Sequence, residues 1–183
     1  MKYKLTISKI LKHFHLVNKH RFIVFKLSIR AGIPLQGLVH DLSKYSFVEF
    51  FESARYYAGT YSPIKNAKDD KGYSEAWLHH KGRNKHHFEY WYDYDLDNPA
   101  IVMPFKYYAE LVCDSMSASM VYNGKNFTND SELIFFESKR KDIILDPRFE
   151  ELLYRTYKDI SIYGVNYVIK KKYLRKLYDE YIK

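Results

Sequence analysis

Apolar residues recur at helical spacing over most of the chain. Ile7, Ile10, Leu11, Phe14, Val17, Val24 and Leu27 mark a first helix from about Lys4 to Arg30. Gly32 ends it, and Pro34 opens a short helix running through Leu38 to Asp41. Ser46 and Glu49 form a capping box ahead of a helix from Phe47 to about Ala58. Residues 59–71, GTYSPIKNAKDDK, read as a polar loop, and a short helix spans about Ser74 to His80. KGRNKHH reads as a break and FEYWYDYDLDNP as an irregular aromatic and acidic stretch. Pro104 lies in the first turn of a helix that reaches about Tyr122 and stops at Asn123-Gly124. Further helices run from about Ser131 to Lys141, from the Asp146-Pro147 start to Ile162, and from about Tyr167 to the end, with Gly164 as a breaker. No segment alternates as a strand does. The expected fold is all-α, and no repeat or linker divides residues 1–183, so a single domain is expected.

Composition narrows this picture. Gly and Pro are scarce, at 7 and 5 residues, which disfavours a turn-rich β-sandwich. Nineteen Tyr and twelve Phe supply enough apolar surface to fold, so disorder is not expected. Cys113 is the single cysteine, so no intrachain disulfide can form. The N-terminal residues lack the apolar core of a signal peptide, and no run approaches the roughly 18 residues of a membrane span. The chain therefore reads as cytoplasmic, with no membrane role. A net charge of +8 points to an anionic partner. The charge does not choose between a mononucleotide, a cyclic signal molecule and nucleic acid, although no nucleic-acid motif accompanies it and nucleic acid is not favoured. The basic C-terminal KKKYLRK also fits a solvated helix face.

The chemistry concentrates in the first two thirds of the chain. All eight histidines fall before residue 88: His13, His15 and His20 on the first helix, His40 beside Asp41, and the pairs His79-His80 and His86-His87. Imidazoles with carboxylates suit Mn, Fe, Co, Ni or Zn, with Mg a further option. Taken singly, each has an ordinary alternative. His20 could lie on a helix surface, His13 and His15 could pack or be solvated, and Asp114 in LVCDSM could pair with a Lys or Arg. Four histidines in WLHHKGRNKHH are harder to explain by tolerance alone.

The order His20, His40-Asp41, His80 with His86 or His87, then Asp114 resembles the H…HD…H…H…D pattern of the HD-domain metal-dependent phosphohydrolases. LVHDLSKYSFVEF, AWLHHKGRNKHHFEYW and MPFKYYAELVCDS are similar to an uncharacterised family related to that superfamily, with HDLSK and N-x-HH-x-x-YW blocks. The likeness covers about residues 15–120. One departure is Ser115, where that family often has Trp after the aspartate. The resemblance implies an HD-domain-like helical bundle, with residues 130–183 packing on the motif core. It implies one metal held by His20, His40, Asp41 and Asp114, and a second held by His80 with His86 or His87. It implies a phosphohydrolase or phosphodiesterase acting on a nucleotide or cyclic nucleotide, with a di-iron oxygenase or a non-catalytic binding module as alternatives. Asp41 and Lys44 are the expected catalytic residues. Lys44, Lys81, Arg83, Asn84 and Lys85 are the expected substrate-binding residues.

Overall fold

The structure, a computed structural model, describes residues 3–183. Among the described residues the regular elements are helices, and the nearest approach to a sheet is an isolated bridge between Tyr92 and Ala100. The first helix, α1 (Ile7–Ala31), begins where the Thr6 side chain accepts from the Lys9 N–H. It ends at Gly32, whose φ of 76° only glycine adopts without strain and whose N–H reaches the Ile29 and Ser28 carbonyls. His13, Val17, His20, Val24, Leu27 and Ala31 form its buried stripe. α2 (Pro34–Val39) folds back along it, and α3 (Phe47–Arg55) opens at Ser46, which accepts from the Glu49 N–H as the capping-box reading expects.

Several elements differ from the sequence reading. Residues 63–71 are not a loop but a helix, α4 (Pro63–Lys71). Ser62 caps it, Pro63 occupies its first position, and Gly72 closes it in the left-handed region. Its start and stop signals were all present, but few apolar positions lie between them. The α2 helix stops at Val39, so His40 and Asp41 lie beyond it. α3 also ends three residues sooner than expected.

α5 (Glu75–Lys81) packs on α3. α6 (Phe105–Asn123) is the central helix, with ten of its nineteen residues buried. One face carries Tyr108, Val112 and Met116 into the main core, and the opposite face turns Glu110, Asp114 and Ser117 towards α1. α7 (Ser131–Lys139), α8 (Pro147–Tyr163), α9 (Val165–Val168) and α10 (Lys171–Ile182) complete that core with Phe136, Phe149, Leu152, Ile160, Val168 and Leu174. The expected last helix is thus two, parted at Ile169 and Lys170. The lysines of α10 lie on its exposed face. No helix among the described residues is long and apolar enough to cross a membrane.

Gly37 lets α2 lie close to α1. A Cβ there would fall 2.4 Å from Ser28 Cβ and 3.3 Å from the Phe25 backbone. In an open helix Gly→Ala stabilises by about 1 kcal/mol. Here Gly37→Ala should instead destabilise by about 1–3 kcal/mol, read by urea unfolding. A second prediction concerns Glu132 of α7, which is buried beneath Ser119. Burial, and then the charge of Asp114, push its carboxyl up to about 8, against a smaller opposing hydrogen bond from Ser119. The unfolded chain ionises this group near pH 4.5 while the folded one keeps its proton, so stability falls as pH rises from about 4.5 to 8. Glu132→Gln should remove that loss, and its stability advantage over the parent chain should widen across the same window.

Candidate metal centre

The centre forms where α1, the α2–α3 junction, the end of α5, the turn after it, and α6 converge. Asp41 lies in the middle. It is the one non-glycine residue of positive φ among the described residues, at φ 55° and ψ 28°. Aspartate tolerates this region better than most residues, but at some cost. Arg21 holds the turn: its Nε donates to the His40 carbonyl at 2.8 Å, and its Nη2 donates to the Leu38 carbonyl at 2.9 Å. A short 3-10 turn, Leu42–Tyr45, then brings Lys44 back over the carboxylate.

The two oxygens of Asp41 face different partners. Oδ2 lies 3.2 Å from His40 Nε2, 3.8 Å from His20 Nε2 and 2.5 Å from Lys44 Nζ. Oδ1 lies 3.3 Å from His80 Nε2 and 3.5 Å from His86 Nε2. Asp114 comes down from α6, with Oδ1 at 2.9 Å from His20 Nε2 and 3.4 Å from His40 Nε2. Its other oxygen is 3.7 Å from His86 Nε2. Two donor sets result, His20–His40–Asp41–Asp114 and Asp41–His80–His86–His87, each with its ligand atoms within 4.8 Å of one another. Both His86 and His87 fall within the second set, so proximity does not choose between them.

A ring of polar partners turns the imidazoles inward. Glu110 Oε1 accepts from Nδ1 of His40 at 2.9 Å and lies 3.2 Å from Nδ1 of His86. Gln36 holds the other Glu110 oxygen at 2.7 Å. Glu49 Oε2 accepts from His80 Nδ1 at 2.7 Å, and its Oε1 accepts from His79 Nδ1 at 2.6 Å. Ser117 Oγ donates to the His20 carbonyl and stands 3.2 Å from His20 Nδ1. With a proton held on Nδ1, each ring points its Nε2 at the carboxylates, where that nitrogen either carries a second proton, which burial opposes at His40 but the Asp41 charge favours, or binds a cation.

The Nε2 atoms of His20, His40, His86 and His87 are buried and crowd on the carboxylates of Asp41 and Asp114, and Asp41 Oδ1 has no well-aligned donor among the described residues. Lone pairs facing carboxylate oxygens in a buried space repel unless a proton or a metal cation lies between them, and four imidazoles on two carboxylates offer room for either. The donor chemistry fits one or two transition ions better than Mg, which prefers oxygen ligands. Burial alone would raise the Asp41 carboxyl, but the charges of His40 and Lys44 hold it well below the usual range. Asp114 is likewise opposed by burial and held well below it by hydrogen bonds to His20 and His40. Glu110 falls to about 2, because hydrogen bonds from His40 and His86 outweigh burial. The carboxylates are therefore ionised and able to bind a cation near neutral pH.

A cavity of about 190 Å³ opens beside the centre, lined by His20, Lys44, His80, His87 and Asp114 and by apolar walls from α1, α4, α5 and α6. Of the expected substrate contacts, Lys44 lines it and Lys81, Arg83, Asn84 and Lys85 do not. Arg83 donates to the His79 carbonyl, and Lys85 sits over the Tyr90 ring. Asn84 fixes the turn instead, donating to the Ser43 hydroxyl at 2.9 Å and the His80 carbonyl at 2.8 Å. Glu49, Glu110 and Ser117 were missed. For the last two a signal existed, since Glu110, Asp114 and Ser117 share one helix face. If these partners orient the ligands, Glu110→Gln should weaken both ions about 10–100-fold, because it touches one ring of each set. Glu49→Gln should weaken only the ion of the His80 set. Competition with a chelating dye, read as two binding steps, measures both effects.

No curated protein and no solved structure matches the chain. One family model does, over residues 9–159, which include every residue of both donor sets. By that match the chain belongs to the Family of unknown function (DUF5662).

Proposed function

We propose that the chain is an HD-type metal-dependent hydrolase of phosphoesters. The observation that carries this reading is the shared Asp41: one buried carboxylate presents an oxygen to each of two histidine-rich donor sets. Divalent ions in such sets, when bound, polarise a phosphoryl oxygen and lower the pKa of water towards neutrality.

The remaining work falls to the chain's own residues. Asp41 and Asp114 are held ionised, so they offset the charge of a bound cation without first losing a proton. Lys44 lines the cavity with its ammonium beside Asp41, and that carboxylate's charge, working against burial, keeps it protonated. It provides a fixed positive charge where a phosphoryl group would lie next to the centre. The apolar walls limit bulk water and strengthen these electrostatic contacts.

A panel of phosphoesters assayed with Mn, Co, Ni, Mg and Fe tests the reading. Metal-dependent phosphate release is expected, with Asp41→Ala lowering it more than about 100-fold through lost metal. Lys44→Met should lower kcat by about 100-fold or more while leaving metal content unchanged. Absence of turnover on every ester with every metal would overturn the reading. Two retained irons with oxygen uptake and no phosphate release would replace it with oxidative chemistry on the same scaffold.

A further inference from the structure

We infer that the centre takes a compact phosphomonoester, whose short, largely apolar organic part carries a hydrogen-bonding group met by His13, and not a nucleotide. This rests on the hydrolase reading and adds the substrate class to it.

Size is the first constraint. Pockets that enclose a drug-sized molecule span roughly 300–1,000 Å³, whereas about 150 Å³ suffices for benzene. The cavity here is about 190 Å³, and its inner end, at His20, Lys44 and Asp114, must seat the phosphoryl group. What remains admits a ring or a chain of a few atoms. The base and sugar of a nucleoside monophosphate would extend outside it.

Lining chemistry is the second. Leu16, Ile64, Trp77 and Val121 make much of the wall apolar, with Ser53, Ser62 and Tyr122 as further polar lining groups. Lys44 is the single Lys or Arg among the lining residues, which suits one phosphoryl group and not a polyphosphate or a cyclic dinucleotide. The basic residues that would have gripped a longer anion, Lys81, Arg83 and Lys85, lie outside the lining.

His13 supplies the third. It lines the cavity, is only 4% exposed, and packs against the rings of Phe50 and Tyr57. Its Nδ1 is sealed from the cavity, so the ring presents Nε2, which no protein group among the described residues meets. A ligand group that reaches Nε2 gains a hydrogen bond in a mostly apolar surround. Burial, then the charge of Lys44, lower this imidazole to about 4, so near neutral pH the ring can accept as well as donate. His13 lies seven residues before His20 on the same face of α1, roughly 10 Å along the axis. That spacing places a hydroxyl or carbonyl a few bonds from the phosphorus within its reach.

The test uses the Mn-loaded full chain. Butyl phosphate, 4-hydroxybutyl phosphate and thymidine monophosphate are compared by kcat/KM, and the matching butyl and 4-hydroxybutyl phosphonates by calorimetry. The hydroxylated ester should be preferred over the plain one about 10-fold, mostly through KM, and its phosphonate should bind correspondingly tighter. Thymidine monophosphate should be the poorest of the three. His13→Phe should abolish the hydroxyl preference, and His13→Gln should retain part of it. A preference for thymidine monophosphate, or a hydroxyl preference unchanged in His13→Phe, would overturn this inference and leave the hydrolase reading intact. Failure of every phosphoester with every metal would remove both.

Discussion

One carboxylate, Asp41, sets the terms for the rest of the molecule. It is buried among four imidazoles and a lysine, and it lies on a turn with a left-handed backbone. Taking such a group out of water is costly unless it is surrounded by compensating charge. The fold brings those partners from four separate segments, while a fifth, α6, adds the second carboxylate, Asp114. Much of the amino-terminal half can be read as a means of bringing those segments to one point.

The support is layered, and each layer uses the simplest chemistry available. Arg21 ties down the carbonyls at the end of α2, so that His40 leaves the helix in a fixed direction. Asn84 binds the turn after α5 to the HDLSK segment, so that His80 and the His86-His87 pair approach the same carboxylate. Glu49 and Glu110 hold the outer nitrogens of the rings. The apolar core under α6 faces away from all this and packs α8 and α10 against it. Separating the two faces of α6 lets one helix serve a dry core and a charged site at once.

Much of this was legible in the sequence, but unevenly. The all-α class followed from periodicity and from caps such as Ser46, Gly32 and Pro147, because these act locally. The residues that gather in both donor sets could be named through the order of the HD-like motifs, although each histidine and aspartate taken singly had an ordinary alternative. Less legible was anything that depends on the approach of distant segments. Glu110 looked like an ordinary polar residue until α2 placed His40 and Gln36 beside it. His13 looked like a packing residue because its open nitrogen matters only when the cavity is known. The α4 helix was hidden by its charged composition, although its caps were standard, and that cost the reading one cavity wall. Lys81, Arg83 and Lys85 misled for the opposite reason: nearness in sequence to ligands says nothing about which way a turn directs its side chains.

The backbone at position 41 also limits what the sequence can become. Asparagine would accept the left-handed conformation but surrender the negative charge. Glutamate would keep the charge, yet it adds a methylene where both oxygens already meet neighbours, and it is less at ease with that geometry. Glycine would relax the turn and leave nothing to bridge the two sets. Conformation and charge, each permissive alone, together leave aspartate as the single natural side chain that satisfies both, so this position has almost no neutral neighbours in sequence space.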